Sequence, residues 1–366
     1  MQIKKRVLLI SIIPQTLSQK TALEDLRELK SLVEAYGAEV VDLITQHREV
    51  HDKGSYIGKG KMYEAKELIS RERIDIVVLN GLIKPGQLYE MKMFFMKAKR
   101  NIEIWDRVDL ILQIFSKHAD TAESRLQIEL AAMRHMGPRI YGMGMELSRQ
   151  TGGIGARGIG ETNTERMKRH WREQMKQTRD KLEKLARDRE RQLERRKRVG
   201  LSTVSLVGYT NAGKTSLFNV LTKKNKHVEN ALFVTLDSAV GKVTLPNKEK
   251  TVLISDTIGF IKNLPTELID AFKSTLLESV HADILIQVID ASDTDMQRKI
   301  NAVEKILTDL HLHNKKKIYV FNKMDRIDIP ERNRIIEKYS RYPSQIISVK
   351  NNEGISPLLE KIEELL

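Results

Sequence analysis

The chain has 366 residues, of which 63 are Lys or Arg and 49 Asp or Glu, for a formal net charge of +14 and no cysteine. The length points to two domains with a connector, and the missing thiols exclude a disulfide framework, a cysteine nucleophile and any cysteine-ligated zinc or iron–sulfur centre. No apolar run approaches the ~20 residues that cross a bilayer, so the expectation is a soluble, cytoplasmic monomer.

Lys4, Lys5 and Arg6 precede the apolar run Val7 to Ile13. The run is short for a secretion signal, Pro14 follows it and no small-residue cleavage site appears, so it reads as a buried first strand. Leu23, Leu26, Leu29, Leu32 and Val33 recur at helical spacing, and Gly37 ends that helix. Strands are expected at 39–44, 75–79 and 102–105, and helices at 62–73 and 85–97, the last with Pro85 in its first turn. Alternation of this kind predicts a small parallel α/β domain over residues 1–117.

Residues 120–135 read as a helix with Leu126, Leu130 and Met133 on one stripe. Gly137-Pro138 and seven glycines between Gly142 and Gly160 predict a loop over 137–164. Residues 165–198 contain neither Gly nor Pro, and Trp171, Met175, Thr178, Leu182 and Leu185 follow a coiled-coil-like seam. The seam degrades at Arg189 and Gln192, which predicts a solvated second half. The expected connector, 118–199, is a long antiparallel helical hairpin with the glycine-rich loop at its tip. Trp171 reads first as hairpin core and second as a stacking platform.

The charge is concentrated in this connector. Residues 1–133 carry 21 basic against 19 acidic residues, 134–198 carry 19 against 9, and 199–366 carry 23 against 21. A polyanion is the natural partner for such a block, because neutralised phosphates release counterions. Arg149, Arg157, Arg166, Arg169 and Arg172 are the candidate phosphate contacts.

Residues 200–366 read as a second α/β unit with strands at 204–207, 240–245, 251–255, 284–289, 318–321 and 346–349. The first ends in Gly208-Tyr209-Thr210-Asn211-Ala212-Gly213-Lys214-Thr215-Ser216 and a helix follows, the setting a P-loop requires. Its backbone N–H groups would cradle phosphates at the positive end of the helix. Lys214 would reach the β- and γ-phosphates, and Thr215 would place its hydroxyl on Mg²⁺. Asp256-Thr-Ile-Gly259 closes the next apolar strand; Asp256 would serve the Mg²⁺ shell and the Gly259 N–H a γ-phosphate. Asn322-Lys323-Met324-Asp325 follows another strand. Asp325 can accept two hydrogen bonds from guanine, whereas adenine would leave a desolvated charge unpaired. The backbone of Ser348-Val349-Lys350 is placed to accept the base carbonyl. These pieces fall in order at strand ends, where doubly wound sheets bind ligands, and they predict GTP and GDP as ligands. Of Thr222, Thr235 and Thr244, Thr235 is the best candidate for the switch threonine that touches Mg²⁺ and γ-phosphate. Lys214, Thr235 and Gly259 form the expected catalytic set. Phe260 stands where many GTPases carry a water-orienting Gln; either it anchors the loop or its presence marks slow hydrolysis that a partner must stimulate. The histidines show no metal-ligand spacing.

With these residues in place, the sequence resembles the HflX family of ribosome-associated GTPases over nearly its whole length. The resemblance rests on Gly152-Gly-Ile-Gly-Ala-Arg157-Gly-Ile-Gly160-Glu161-Thr162 and on Ser55-Tyr-Ile-Gly58-Lys59-Gly60-Lys61. It also rests on Asp106-Arg107, Ile114-Phe115 and Gln127-Ile-Glu129-Leu-Ala131, and on Leu232–Asp237 and Asp256–Pro265 in the second unit. It implies an N-terminal α/β domain with a helical hairpin followed by a Ras-like G domain. It further implies binding to the large ribosomal subunit, with the hairpin loop directed at RNA of the peptidyl-transferase centre. In several members it implies splitting of stalled ribosomes, and in some, resistance to antibiotics acting there. The segment Asn80–Gln87 lacks the acidic residues usual in the family, and 162–165 follows the pattern only in part. The chain ends at Leu366, which fits a short form without a further C-terminal domain. Two other functions compete: a signalling GTPase whose basic helix meets an acidic protein, other RNA or an anionic membrane, and a nucleic-acid remodelling ATPase, which Asp325 opposes.

Overall fold

The computed structural model describes residues 4–150, 157–224, 239–247, 250–261 and 278–366. The chain divides into two compact units, residues 1–117 with 126–181, and residues 118–125 with 182–366. The segment expected as a separate connector is thus apportioned between the two units.

In the first unit β1 (Arg6–Ile13), β2 (Glu39–His47), β3 (Ile76–Leu79) and β4 (Glu103–Asp106) form a parallel sheet in the order β2-β1-β3-β4. The crossovers are α1 (Gln19–Tyr36), α2 (Lys59–Arg71) and α3 (Pro85–Phe95). Ser18 caps α1 by accepting from the Thr21 N–H, and Gly37 ends it at φ 85°, a conformation glycine adopts without penalty. Helix α4 (Arg107–His118) has no counterpart among the sequence expectations. Val108, Leu110, Ile111, Leu112, Ile114 and Phe115 are buried, while Asp109, Gln113, Ser116 and Lys117 form a narrow less-buried stripe at helical spacing, so the period was present in the sequence. Asp106 starts it, accepting from the Val108 and Asp109 N–H groups at 2.9 Å each.

The hairpin helices are longer than the sequence suggests. Helix α5 spans Ala122–Gln150 and α6 spans Arg157–Arg198, so helix replaces most of the loop expected over 137–164, and residues 151–156 lie outside the described residues. Gly and Pro inside a helix cost about 1 and 3 kcal/mol. That cost at Gly137-Pro138 is opposed by tertiary bonds of the next residue, Arg139, which donates to Asp109 Oδ2 at 2.6 Å and also to Asp106. His135 joins them, its Nε2 standing 3.1 Å from Asp106 Oδ1 and 3.3 Å from Asp109 Oδ1. Sequence spacing did not bring this histidine and these carboxylates together; the fold does. Although Asp106, Asp109 and His135 cluster closely enough to hold a cation, Arg139 and a protonated His135 already neutralise the two carboxylates.

Trp171 Nε1 donates to Met133 O at 3.1 Å, which makes it hairpin packing rather than a free stacking platform. The second half of α6 is not simply solvated. Leu193 is buried, Arg189 pairs with Glu123 at 3.1 Å and Arg196 with Glu278 at 3.2 Å.

The second unit holds a six-stranded sheet. Its strands are β5 (Thr203–Gly208), β6 (Ala239–Thr244), β7 (Thr251–Asp256), β8 (Ile284–Asp290), β9 (Lys316–Asn322) and β10 (Ser344–Ile346), in the order β10-β9-β8-β5-β7-β6. Among the described strands, only β6 runs antiparallel to its neighbour. Among the described helices are α7 (Lys214–Thr222), α8 (Met296–Asp309), α9 (Ile329–Lys338) and α10 (Ile355–Leu365). Val204, Leu206, Leu217, Phe218, Ile254 and Ile286 lie in the apolar core. Among the described residues, no helix is long and apolar enough to cross a membrane.

Candidate nucleotide site

The central strand β5 is flanked by β7 on one side and β8 on the other, and the carboxyl ends of β5, β7, β8 and β9 deliver Gly208, Asp256, Asp290 and Asn322. Such a switch point is where a doubly wound sheet leaves a crevice for ligand.

The turn from β5 into α7 needs its glycines. Gly208 has φ 146°, and a β-carbon there would lie 2.3 Å from Val288 O. Gly213 has φ 96°, and its β-carbon would lie 2.2 Å from Asn322 Nδ2. Between them Asn211 takes φ 61°. Lys214 opens α7 and is fully buried, donating to Gly208 O at 3.0 Å and Tyr209 O at 2.8 Å. Burial lowers its pKa to about 8, while the Asp256 carboxylate pulls the other way. A buried ammonium at this turn is short of counter-charge, and a phosphate would supply it. Ser216 lies in the first turn of α7.

Thr215 Oγ1 donates to Asp256 Oδ2 at 2.9 Å, and Asp256 has no solvent exposure. A hydroxyl and a carboxylate side by side are hard oxygen donors, the set that suits Mg²⁺. Past Asp256, Thr257 Oγ1 donates to Leu206 O at 2.6 Å. Phe260 then pairs with the P-loop backbone, its N–H to Gly208 O at 3.0 Å and its carbonyl accepting from Thr210 N–H at 2.8 Å. The Phe260 ring is 1% exposed, so it acts as the loop's anchor. Gly259 is held so close that a β-carbon would lie 2.7 Å from Thr210 Cγ2 and 3.0 Å from Lys214 Nζ. Thr235, the expected switch threonine, lies outside the described residues.

The segment after β9 is tied to the turn between β5 and α7. Asn322 Nδ2 donates to Ala212 O at 3.0 Å, and its Oδ1 accepts from Val349 N–H at 3.1 Å. Lys323, at φ 65°, donates to Asn211 O at 2.9 Å and pairs with Asp290 at 2.6 Å. Asp325 accepts from Ser348 Oγ at 2.7 Å, and this hydrogen bond is the main reason its pKa sits below the ordinary carboxylate value, with Lys350 and Arg326 adding to it. The strand expected at 346–349 is found at Ser344–Ile346; Ser348 instead bridges Glu353, and Val349 and Lys350 lie in the turn between them. The geometry therefore brings together Gly208–Ser216, Asp256, Gly259, Asn322, Lys323, Asp325 and Ser348–Lys350. Sequence reasoning missed Asp290. Its signal was present, an acid closing the apolar strand Ile284–Asp290 just as Asp256 closes its own.

Comparisons with known proteins give the family. Residues 23–116 match the family described as GTP-binding GTPase N-terminal, 118–196 the GTP-binding GTPase Middle Region, and 203–323 the 50S ribosome-binding GTPase family. The chain is 41% identical to the GTPase HflX of Caldanaerobacter subterraneus subsp. tengcongensis over 363 residues, covering 99% of this chain and 81% of that protein. The chain belongs to the HflX family of GTPases. Escherichia coli GTPase HflX is 36% identical over 356 residues, covering 95% of this chain and 80% of that relative. Among solved structures, the GDP complex of SsGBP aligns with TM-score 0.56 and 25% identity over 99% of this chain and 98% of that one. A GTP-binding protein of the archaeon Sulfolobus solfataricus, also with GDP, aligns at TM-score 0.52 and 24% identity over 99% and 98% of the two chains, which supports the shared fold. As an HflX-family GTPase, the chain binds GTP and GDP and converts the first to the second.

The candidate RNA contacts lie on the hairpin. Arg149 is near the end of α5 and Arg157 begins α6. Arg166, Arg169 and Arg172 are exposed along α6.

Proposed function

We propose that this HflX-family GTPase works on the ribosome. In its GTP state it binds the large subunit, with the α5–α6 hairpin directed at RNA near the peptidyl-transferase centre, and GTP turnover is coupled to splitting stalled ribosomes. One observation carries this reading: the basic excess, 19 against 9 over residues 134–198, coincides with the hairpin, where Arg166, Arg169 and Arg172 are exposed for phosphates. A matched family described as ribosome-binding supports it.

At the nucleotide, Lys214 and the P-loop N–H groups hold the phosphates, Gly259 N–H meets the γ-phosphate and Asp325 selects guanine. Thr215 and Asp256 would hold Mg²⁺, with Thr235 as a third ligand, and the ion would neutralise charge developing on the β- and γ-oxygens. Phe260 has no group to orient water, so intrinsic hydrolysis is slow and the ribosome supplies the missing order.

The test is co-sedimentation of the chain with ribosomes, with a non-hydrolysable GTP analogue and with GDP. Selective pelleting with the analogue, and conversion of 70S particles to subunits with GTP, are the expected results. No pelleting in either state at near-physiological salt overturns the reading.

A further inference from the structure

The motif Ser55–Lys61 is not used by the nucleotide site, and it leads directly into α2. Gly60 lies in the first turn of that helix, where a β-carbon would meet nothing within 4 Å. A glycine in a helix weakens it relative to alanine, and neither crowding nor a positive φ requires one here. What it does is leave bare backbone on the surface beside its helical neighbour Tyr63, three residues on. Tyr63 is 60% exposed, a large aromatic presented to solvent. It is braced edge-to-face on Phe94 of α3, with ring centroids 5.1 Å apart and planes at 86°. Lys66 Nζ stands 5.4 Å from the centroid of the Phe94 ring, and Lys59 lies one turn before Tyr63. Neither lysine has an ion-pair partner among the described residues, while the nearby Glu64 is taken by Lys61 at 2.7 Å.

The sequence segment that contains this surface is also the basic part of the domain, although Lys61, Arg71 and Lys99 within it are paired with Glu64, Glu72 and Asp75. Residues 59–100 carry 10 basic against 5 acidic residues, whereas the rest of 1–117 carries 10 against 11. The positive excess of the domain therefore lies in the segment that contains α2 and α3. A flat aromatic face between two lysines without ion-pair partners, beside the bare backbone of one glycine, has the chemistry for a nucleotide: a base stacks on the ring, and the flanking phosphates meet the ammonium groups.

We propose that the α2 surface formed by Lys59, Gly60, Tyr63 and Lys66 binds an unpaired RNA nucleotide, with its base stacked on Tyr63. This is a contact separate from the basic hairpin, and it rests on the reading that the chain's partner is ribosomal RNA. Gly60 permits close approach of the ribose-phosphate backbone, Lys59 and Lys66 bracket the phosphates, and Phe94 fixes the Tyr63 ring.

The test uses the full chain and two probes, a fluorescent single-stranded RNA dodecamer and the intact large ribosomal subunit. Tyr63→Ala is expected to weaken dodecamer binding about tenfold, and Tyr63→Phe, which keeps the stacking face, to stay within about twofold of the parent. Gly60→Ala is expected to weaken binding while raising the thermal midpoint, a pairing that loss of fold cannot produce. Unchanged dodecamer affinity in Tyr63→Ala overturns the proposal. Weakened subunit binding in that variant with dodecamer binding untouched assigns the contact to a ribosomal protein and overturns it equally. Failure of the parent chain to bind subunits, with the Tyr63→Ala effect on the dodecamer intact, overturns the ribosome reading and leaves this surface supported.

Discussion

Lys323 Nζ lies 2.6 Å from Asp290 Oδ2 and 2.9 Å from Asn211 O, so one ammonium ties the segment after β9 to the end of β8 and to the turn between β5 and α7. Both side chains are largely buried, at 16% and 20% exposure. Asp290 is itself fixed by Ser292, whose N–H and hydroxyl donate to its other oxygen at 3.0 and 2.7 Å. Removing one partner of a buried pair leaves the other charge uncompensated. Asp290→Asn is expected to speed GDP release about tenfold, read by stopped-flow with a fluorescent nucleotide. In a cycle with Lys323→Ala the two effects should be non-additive by about 1 kcal/mol; simple additivity would show that the ion pair does not act on the nucleotide.

Asp325 accepts from Ser348 and is held below the usual carboxylate range by that bond, so it is ionised across the physiological range. On the proposed guanine-selecting role, Asp325→Asn removes two charge-assisted hydrogen bonds, at about 1.5–3 kcal/mol each. The variant should lose roughly 100-fold or more in GTP affinity, the arithmetic of ~3 kcal/mol, and should admit xanthine nucleotides. Competition binding with GTP, ATP and XTP reads the outcome. Retained guanine selectivity would move base recognition elsewhere.

The residues proposed to hold the nucleotide could be grouped from sequence because they are local runs at strand ends, where chain order and spatial order agree. Gly208–Ser216, Asp256–Gly259 and Asn322–Asp325 needed no knowledge of tertiary contacts. Helix α4 went unread although Asp109, Gln113, Ser116 and Lys117 repeat at helical spacing, because that polar stripe is narrow beside a run of buried apolar residues. The length of the hairpin helices was not legible. Gly137-Pro138 signals a break by local rules, and the bonds that oppose it come from Asp106 and Asp109, far away in sequence. The same separation hid the partners of His135 and the Asp290–Lys323 pair.

Gly259 is enclosed by Thr210 and Lys214, with no room for a β-carbon beside Thr210 Cα at 3.0 Å and Lys214 Nζ at 3.0 Å. Gly259→Ala must push the Phe260 anchor or the lysine out of place. The expected result is a fall in GTP hydrolysis of about 100-fold, the scale of losing one positioned donor at a developing charge, with GDP affinity changed less than GTP affinity. Single-turnover hydrolysis alongside equilibrium binding of both nucleotides separates the effects. Equal losses for GDP and GTP would indicate damage to the P-loop rather than loss of γ-phosphate recognition.

His135 on α5 faces Asp106 from the end of β4, Asp109 from α4 and, through them, Arg139 from its own helix. Burial works to lower its pKa, but the hydrogen bonds to Asp106 and Asp109 outweigh it and raise the value from 6.5 to about 9. A raised folded-state pKa means that protonation stabilises the fold: the contribution is complete below about pH 6.5 and is lost as pH rises through about 9. The shift corresponds to an upper bound on the order of 3 kcal/mol. Asp109 moves the opposite way, held low by His135 and Arg139 against its own burial, so its contribution is lost as pH falls below the ordinary carboxylate value. Thermal midpoints of the parent should therefore be flat between about pH 5 and 6.5 and decline from there to pH 10. His135→Gln should be less stable at pH 6 and should lose most of the alkaline decline. A parent and variant with parallel profiles from pH 6 to 10 would show that His135 does not carry the charge that binds the hairpin's first helix to α4.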